Sequence, residues 1–453
     1  MKTAIAYLGE AAIRQGLGYI SKSPEKNIFK VLDWSQKIAR DPYHKQMIES
    51  VRGVLQQPGS PWPEFMVSAF TDIHPKIRDT IAINFFVNGG FLGVPKQQEM
   101  AKKLGASVPF AVLMDPTSRC NLRCTGCWAG EYKGDDLSFE VMDRVLTEAE
   151  ELGVYFIVLS GGEPTLRKKD IFALARRHPE QVFHLFTNGT LINEQFVEEV
   201  VDVGNVTMAI SLEGDEEFTD QRRGKGVFKS VMHAMDLLKE GGCLYGASVT
   251  YTRDNVDNVS SEEFIDLLID KGVRFVWYFT YIPVGANADL DMMATPQQRA
   301  FMHEKTSELR LRKPIFLMDF WNDGAVSGGC IAGGRRYLHI NAAGEVEPCA
   351  FVHYATENIN EKSLAEALQS PLFKAYQKRQ PFNNNHLRPC PLIDNPTAIR
   401  DIVHESGAHC TEIDMGETVD EFSAKLQDYA TSWGAVADAI DVEEKAARES
   451  KVG

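Results

Sequence analysis

At 453 residues with 44% apolar side chains, the chain has room for about three domains with sizeable cores. A formal net charge of −15 and the lack of any basic run exclude a nucleic-acid backbone as partner, since nothing would offset phosphate repulsion. There is no repeat, no low-complexity tract, no bilayer-length apolar stretch and no signal-peptide pattern, so the expectation is a cytoplasmic protein whose cysteines stay reduced.

Residues 1–108 read as helical. Ile5, Leu8, Ala12, Ile13, Leu17 and Ile20 return at helical spacing, with Lys2, Arg14 and Lys22 at other positions, and Ile81 to Phe86 is strongly apolar. Gly9, Gly16 and Gly18 weaken a free-standing helix and favour close packing. Two roles compete: these helices cap the following domain, or the first makes peripheral membrane contact or admits an acyl chain.

Residues 109–115 read as a buried strand that leads into Cys120-Asn121-Leu122-Arg123-Cys124-Thr125-Gly126-Cys127. A C-x3-C-x2-C run can place three thiolates on one face of an iron-sulfur cluster and leave one iron open for a substrate or cofactor. Zinc would usually want a fourth ligand close by, but the next His and Cys are His178 and Cys243. Spacing alone favours iron-sulfur over zinc, and zinc over incidental packing. A helix over 141–152 and an apolar strand over 154–159 follow, then Gly161-Gly162-Glu163-Pro164. The glycines let backbone approach a ligand, and Glu163 offers a carboxylate to an ammonium group.

The alternation continues with strands at 182–186, 206–212, 245–251 and 274–281, separated by helices at 193–203, 227–239 and 261–271. Six strands with crossover helices predict a parallel, right-handed α/β array, either a partial barrel or a doubly wound sheet. Asn188, Ser211, Glu213, Thr250 and Thr252 stand at the ends of these strands. Trp277, Tyr278 and Tyr281, with the run Met318 to Asp323, are candidates to line a substrate pocket, and Asp319 and Asp323 are the candidate catalytic carboxylates.

Tyr337 to Ile340 reads as a hairpin strand and Asn341 to Gly344 as its turn, which would bring Cys330 and Cys349 together. Cys390 and Cys410 are candidate further ligands of a second cluster, with His409 or substrate as substitutes for Cys410. Cys243 reads as a buried hydrophobe, and 419–447 as an acidic amphipathic helix that docks as a tail.

Residues 109 to about 290 resemble the radical S-adenosylmethionine (SAM) enzymes: Cys120, Cys124 and Cys127 match that family's cluster motif, and Gly161, Gly162, Glu163 and Pro164 match its loop for the SAM amino group. The resemblance implies a partial (β/α)6 barrel over 109–325 and a [4Fe-4S] cluster on three cysteines with SAM at the open iron. Asn188 joins the cofactor-binding set, Ser211 and Glu213 fall near the ribose, and Arg223 falls at the SAM carboxylate, a role Arg222 could exchange with it. One departure is Gly126, where the family usually has an aromatic residue; Trp128 follows instead. Residues 326–412 resemble the SPASM auxiliary-cluster domain or its shorter twitch form, which implies a second [4Fe-4S] cluster on Cys330, Cys349, Cys390 and Cys410. The helical extension 1–108 and a tail over 413–453 complete the expected organisation.

The activity so implied is reductive cleavage of SAM to a 5′-deoxyadenosyl radical that takes hydrogen from a small-molecule or lipid-like substrate, for oxidation or carbon-carbon coupling. An electron donor such as flavodoxin or ferredoxin would be a partner. Two other readings are a peptide maturase that makes thioether or carbon-carbon links, and a non-catalytic electron carrier. Residues 1–108 lack the strand pattern of a leader-binding winged helix, and an electron carrier would need no amino-group loop.

Overall fold

The strands form where apolar runs end in turn residues: β1 (Ala111–Met114), β2 (Phe156–Leu159), β3 (Val182–Thr187), β4 (Val206–Leu212), β5 (Tyr245–Tyr251) and β6 (Phe275–Thr280). They pair in parallel and in chain order. The computed structural model describes residues 4–39, 42–130, 136–285, 287–412 and 417–452. Crossover helices present one buried face to the sheet; helix Phe139–Leu152 buries Met142, Val145, Leu146, Ala149 and Leu152, the Met, Val and Leu side chains each contributing about 1.5–3 kcal/mol when fully buried. Ser138 caps its start by accepting from Val141 N at 3.2 Å.

The sheet is wider than six strands. β7 (Phe316–Asp319) joins the β6 edge in parallel. At the other edge β8 (Tyr337–Ile340) pairs in parallel with β1, from Ala111↔Tyr337 to Met114↔Ile340, and β9 (Val346–Glu347) pairs antiparallel with β8. The result is an open nine-stranded sheet, of which the expected partial barrel is the central part. The predicted hairpin turn is present, with Gly344 N donating to Asn341 O at 2.9 Å. β10 (Tyr354–Ala355) and β11 (His409–Cys410) form a separate two-stranded ladder.

Among the described residues the N-terminal extension is helical from Ala4 to Leu104, including a π-helical stretch over Ile83–Gly93. It docks on loops at the N-terminal ends of the strands. Asn84 donates to the carbonyls of Pro179 and Gln181 at 2.7 and 3.1 Å, Gln97 donates to that of Gly153 at 2.8 Å, and Arg274 meets Asp72 at 2.6 Å. These contacts come from residues 72–97 and do not involve the first helix, Ala4–Ile20. In the first helix Ile20 is buried while Ile13 and Tyr19 are exposed; the side chains of Ile5 and Leu8 lie outside the described residues. Among the described residues no helix is long and apolar enough to cross a membrane.

At the C-terminal end, helix Val419–Val452 is held by Trp433, which is fully buried and donates from its indole to Leu387 O at 3.0 Å. The Arg299 guanidinium lies 4.1 Å from the Trp433 ring centre and pairs with Asp394 at 2.7 Å, both charged side chains being fully buried.

A second buried ion cluster joins β1 to the β8–β9 hairpin. His339 Nε2 lies 2.9 Å from Asp115 Oδ2 and its Nδ1 lies 2.6 Å from Glu347 Oε2. Burial disfavours charge on His339, but the two carboxylates outweigh it and raise the imidazole to about 10. With the folded value raised, the contribution to stability is complete below the unfolded value of about 6.5 and declines as pH climbs toward the folded one. Equilibrium unfolding of wild type and His339→Gln across this range should show a stability gap that narrows with rising pH. A gap that does not change would assign the stabilisation to other groups.

Candidate functional site

The cysteine loop starts where β1 ends, and the Gly161–Pro164 loop starts where β2 ends, so parallel pairing sets the two side by side. Gly162 N donates to Thr117 O at 2.9 Å and Glu163 N to Arg119 O at 2.8 Å. A Cβ on Gly162 would stand 2.1 Å from Arg119 O, so only glycine fits. The glycine serves the contact between the two loops, a closer neighbour than the ligand expected from sequence. Glu163 is likewise engaged by the chain itself. Its carboxylate accepts from Thr165 N at 2.9 Å, Thr187 Oγ1 at 2.6 Å and Asn188 N at 2.8 Å, and burial raises its pKa. It ties the loop to the end of β3 and still lines the main cavity. Glu163→Ala should weaken SAM binding about tenfold or more with iron content unchanged, as read by equilibrium dialysis. Unaltered affinity would give the loop another role.

Cys120, Cys124 and Cys127 line one cavity of about 860 Å³. Among the described residues no three Cys, His, Asp or Glu side chains converge at the spacing of a single metal ion. Gly126 adopts φ +63°, and a Cβ there would stand 2.7 Å from the Tyr281 ring. Tyr281, just beyond β6, thus fills the space that an aromatic side chain at position 126 would need, and it lines the cavity. Trp128 turns toward the β8 hairpin, 5.8 Å from the rings of His339 and Phe351.

Asn188 donates to Asn121 Oδ1 at 2.9 Å and lies 3.9 Å from Cys120 Sγ, which fixes the end of β3 to the cysteine loop. Ser211 lines the cavity one strand further on. Both arginines meet Glu213: Arg222 at 2.7 Å and Arg223 at 2.5 Å. Arg222 also donates to Thr125 O at 3.2 Å. The second Glu213 oxygen, Oε2, is buried without a hydrogen-bond partner among the described residues. Glu213 lies outside the cavity lining, whereas Ser211, Arg222 and Arg223 belong to it, and the guanidinium pair that Glu213 holds suits a carboxylate. The residues present fit SAM. Pro164 is buried and opens a short 3-10 turn, outside the cavity lining.

A smaller cavity of about 200 Å³ is lined by Cys330, Cys349 and Cys390. The Tyr337 hydroxyl donates to Cys349 Sγ at 2.8 Å, and that of Tyr376 lies 3.3 Å from Cys330 Sγ. Burial pushes the Cys349 thiol up to about 12 and raises that of Cys330, so a metal entering here displaces protons. The structure does not bring Cys410 to this cavity: it sits on β11 opposite Tyr354, with Glu412 and Glu347 as its charged neighbours. Asp319 and Asp323 line this smaller cavity and not the larger one. Asp319 accepts from Asn322 Nδ2 at 2.7 Å and burial raises it to about 6, while Asp323 pairs with Arg310 at 2.6 Å. Both brace the turn after β7. Trp277, Phe320, Tyr337 and Phe351 form a wall common to the two cavities.

Sequence reading missed the two tyrosines at the thiols and His184, which lines the main cavity from β3. A lone His within the apolar run Val182-Phe183-His184-Leu185-Phe186 was the available signal. Of the three aromatics named at β6, Trp277 and Tyr281 line the cavity, whereas Tyr278 faces the opposite side and donates to Val259 O at 2.6 Å.

The Radical SAM superfamily profile matches residues 114–271, and the SPASM iron-sulfur cluster-binding domain profile matches 330–391. The chain is 29% identical over 287 residues to the mycofactocin maturase MftC of Mycolicibacterium smegmatis, covering 60% of this chain and 70% of that one. It is 23% identical to an AdoMet-dependent heme synthase of Methanosarcina barkeri, covering 57% and 82%. With the Fe-coproporphyrin III synthase of the same organism the identity is 29% over 44% of this chain, which spans about half (52%) of that protein's length. Streptococcus suis SuiB bound to S-adenosylmethionine superposes with a TM-score of 0.53 at 17% identity, covering 65% of this chain and 74% of that one. Native anSMEcpe with bound AdoMet gives 0.51 at 18%, covering 74% and 99%; both share the fold.

Residues 114–271 thus carry a radical SAM domain, and the chain is an enzyme of the radical SAM type. Residues 330–391 carry a SPASM domain; the first domain implies a [4Fe-4S] cluster and SAM as cofactors, and the second an auxiliary iron-sulfur site.

Proposed function

We propose that this enzyme takes hydrogen from an apolar, lipid-like substrate bound in the main cavity, for oxidation or carbon-carbon coupling. The observation that carries the reading is the cavity itself, about 860 Å³, walled chiefly by Phe, Trp and aliphatic side chains beyond the cysteine end. When bound, the cluster and SAM supply one-electron cleavage of the sulfonium and a hydrogen-abstracting 5′-deoxyadenosyl radical.

The chain's residues have distinct tasks in this reading. Cys120, Cys124 and Cys127 hold the cluster; Asn188 and Glu163 fix the loops around it. Ser211 lies near the ribose, and Glu213 positions Arg222 and Arg223, which face the SAM carboxylate. The aromatic wall excludes water, so a reactive species meets substrate in place of solvent. Cys330, Cys349 and Cys390 hold the auxiliary cluster behind that wall. A flavodoxin or ferredoxin would deliver the electron.

A second reading rests on the names of relatives, among them the sporulation killing factor maturation protein SkfB of Bacillus subtilis, 27% identical over 58% of this chain, and PqqA peptide cyclase of Granulibacter bethesdensis. In that case the substrate is a peptide. Anaerobic reconstitution with SAM and dithionite, followed by chromatography of 5′-deoxyadenosine, separates the two. Stimulation by a lipid extract over a peptide extract supports the apolar reading; the reverse order supports the peptide.

A further inference from the structure

The main cavity runs the length of the strands. It reaches Ser160, Asn188 and Ser211 at their C-terminal ends and Ala111, Phe156 and Val182 at their N-terminal ends. At about 3.3 Å per residue, Val182 and Asn188 are about 20 Å apart along β3. The interior of a small closed βα barrel is filled by layered side chains; here the concave face of the open sheet encloses a long void. Dispersion contacts forgone along such a void favour an occupant of matching shape.

The N-terminal end of the void has a mouth. Phe86 and Phe316 line the cavity and are also 70% and 46% exposed, so they mark where it meets solvent. Phe65 and Phe85 from the helical extension line the same end.

Within this wall His184 is 3% exposed, its ring centre 5.9 Å from Phe156, 5.1 Å from Phe186 and 6.3 Å from Trp277. His184 Nε2 and Trp277 Nε1 are both buried without hydrogen-bond partners among the described residues. Burial holds the imidazole neutral, with its pKa lowered to about 3. Neutral polar atoms left open in an apolar wall cost free energy until a ligand completes them. Charge on that ligand would be disfavoured by the same burial. His184 lies about 13 Å below Asn188 along β3, so a group held there keeps its distance from the cysteine end.

We propose that the cavity takes one extended aliphatic chain, threaded along the strands from the N-terminal mouth, with an uncharged oxygen of that lipid hydrogen-bonded at His184 and Trp277. This rests on the apolar-substrate reading above. It adds a direction of entry, an extended shape and a polar marker on the chain.

The test uses the reconstituted full chain with SAM, under anaerobic conditions, and two fluorescent rods. One is the methyl ester of cis-parinaric acid, which carries an uncharged oxygen; the other is the hydrocarbon diphenylhexatriene. Wild type should bind both. Leu244→Trp, which fills the N-terminal half of the void, should weaken both about tenfold while SAM binding by dialysis is unchanged. Phe86→Asp, at an exposed position that tolerates charge, should slow association of both. His184→Leu should weaken the ester about tenfold and leave the hydrocarbon unaltered. Binding unaffected by both Leu244→Trp and Phe86→Asp overturns threading from this mouth, and equal behaviour of the two probes in His184→Leu overturns the oxygen contact. If wild type binds SAM but neither probe, the apolar-substrate reading itself falls.

Discussion

A Cys124→Ala chain keeps its auxiliary iron and makes no 5′-deoxyadenosine above background. The two cavities share a wall of aromatic side chains but no cysteine: Cys120, Cys124 and Cys127 line one, and Cys330, Cys349 and Cys390 the other. Removing one of three thiolates leaves the first cluster short of a ligand, and nothing in the second changes. Iron per chain should fall by about half after anaerobic reconstitution if each site holds four irons. The converse variant, Cys349→Ala, should lose the other half while SAM still binds. Loss of all iron from Cys124→Ala would refute the separation of the sites.

The largest expected effect on stability is that of Arg299→Met. Arg299 and Asp394 are fully buried and paired at 2.7 Å, and the guanidinium also lies over Trp433. Removing the cation strands a carboxylate in the interior, a change that costs about 3–5 kcal/mol. The damage should extend to the auxiliary site, because Asp394 Oδ2 accepts from Cys390 N at 3.0 Å. Denaturant titration should show a large drop in midpoint together with lower iron retention. A double variant, Arg299→Met with Asp394→Leu, removes both charges and should recover most of the midpoint; because it also removes the acceptor at Cys390 N, the iron defect should persist. An Arg299→Met midpoint within about 1 kcal/mol of wild type would show that the pair is not a determinant of stability.

Strand positions were legible because apolar runs bounded by turn residues leave little freedom, and β4 and β5 start and stop where the pattern does. β7 escaped because four residues after a proline carry almost no periodic signal, and its aromatic neighbours read as pocket residues. They are, but alternately. Phe316, Met318 and Phe320 line the main cavity and Asp319 does not, as a period of two requires. Applying that alternation would have set Asp319 aside; Asp323 lies beyond the strand, where that period does not hold. Cys330 and Cys349 could be joined from sequence by a local hairpin. The placement of Cys410 could not, since its ladder with Tyr354 closes a loop of more than fifty residues that no local pattern encodes. Glu163 was identified from its motif, while its actual partners, Thr187 and Asn188, come from the end of the next strand.

The pairing of β8 with β1 has a mechanical meaning. Cys120 follows β1 by six residues and Cys349 follows β9 by two, and β1, β8 and β9 are neighbouring rungs of one hydrogen-bonded ladder pinned by His339. Cys120 and Cys349, one from each cysteine set, thus hang from a single girder. Substrate binding therefore has little leverage to stretch the span between Cys120 and Cys349.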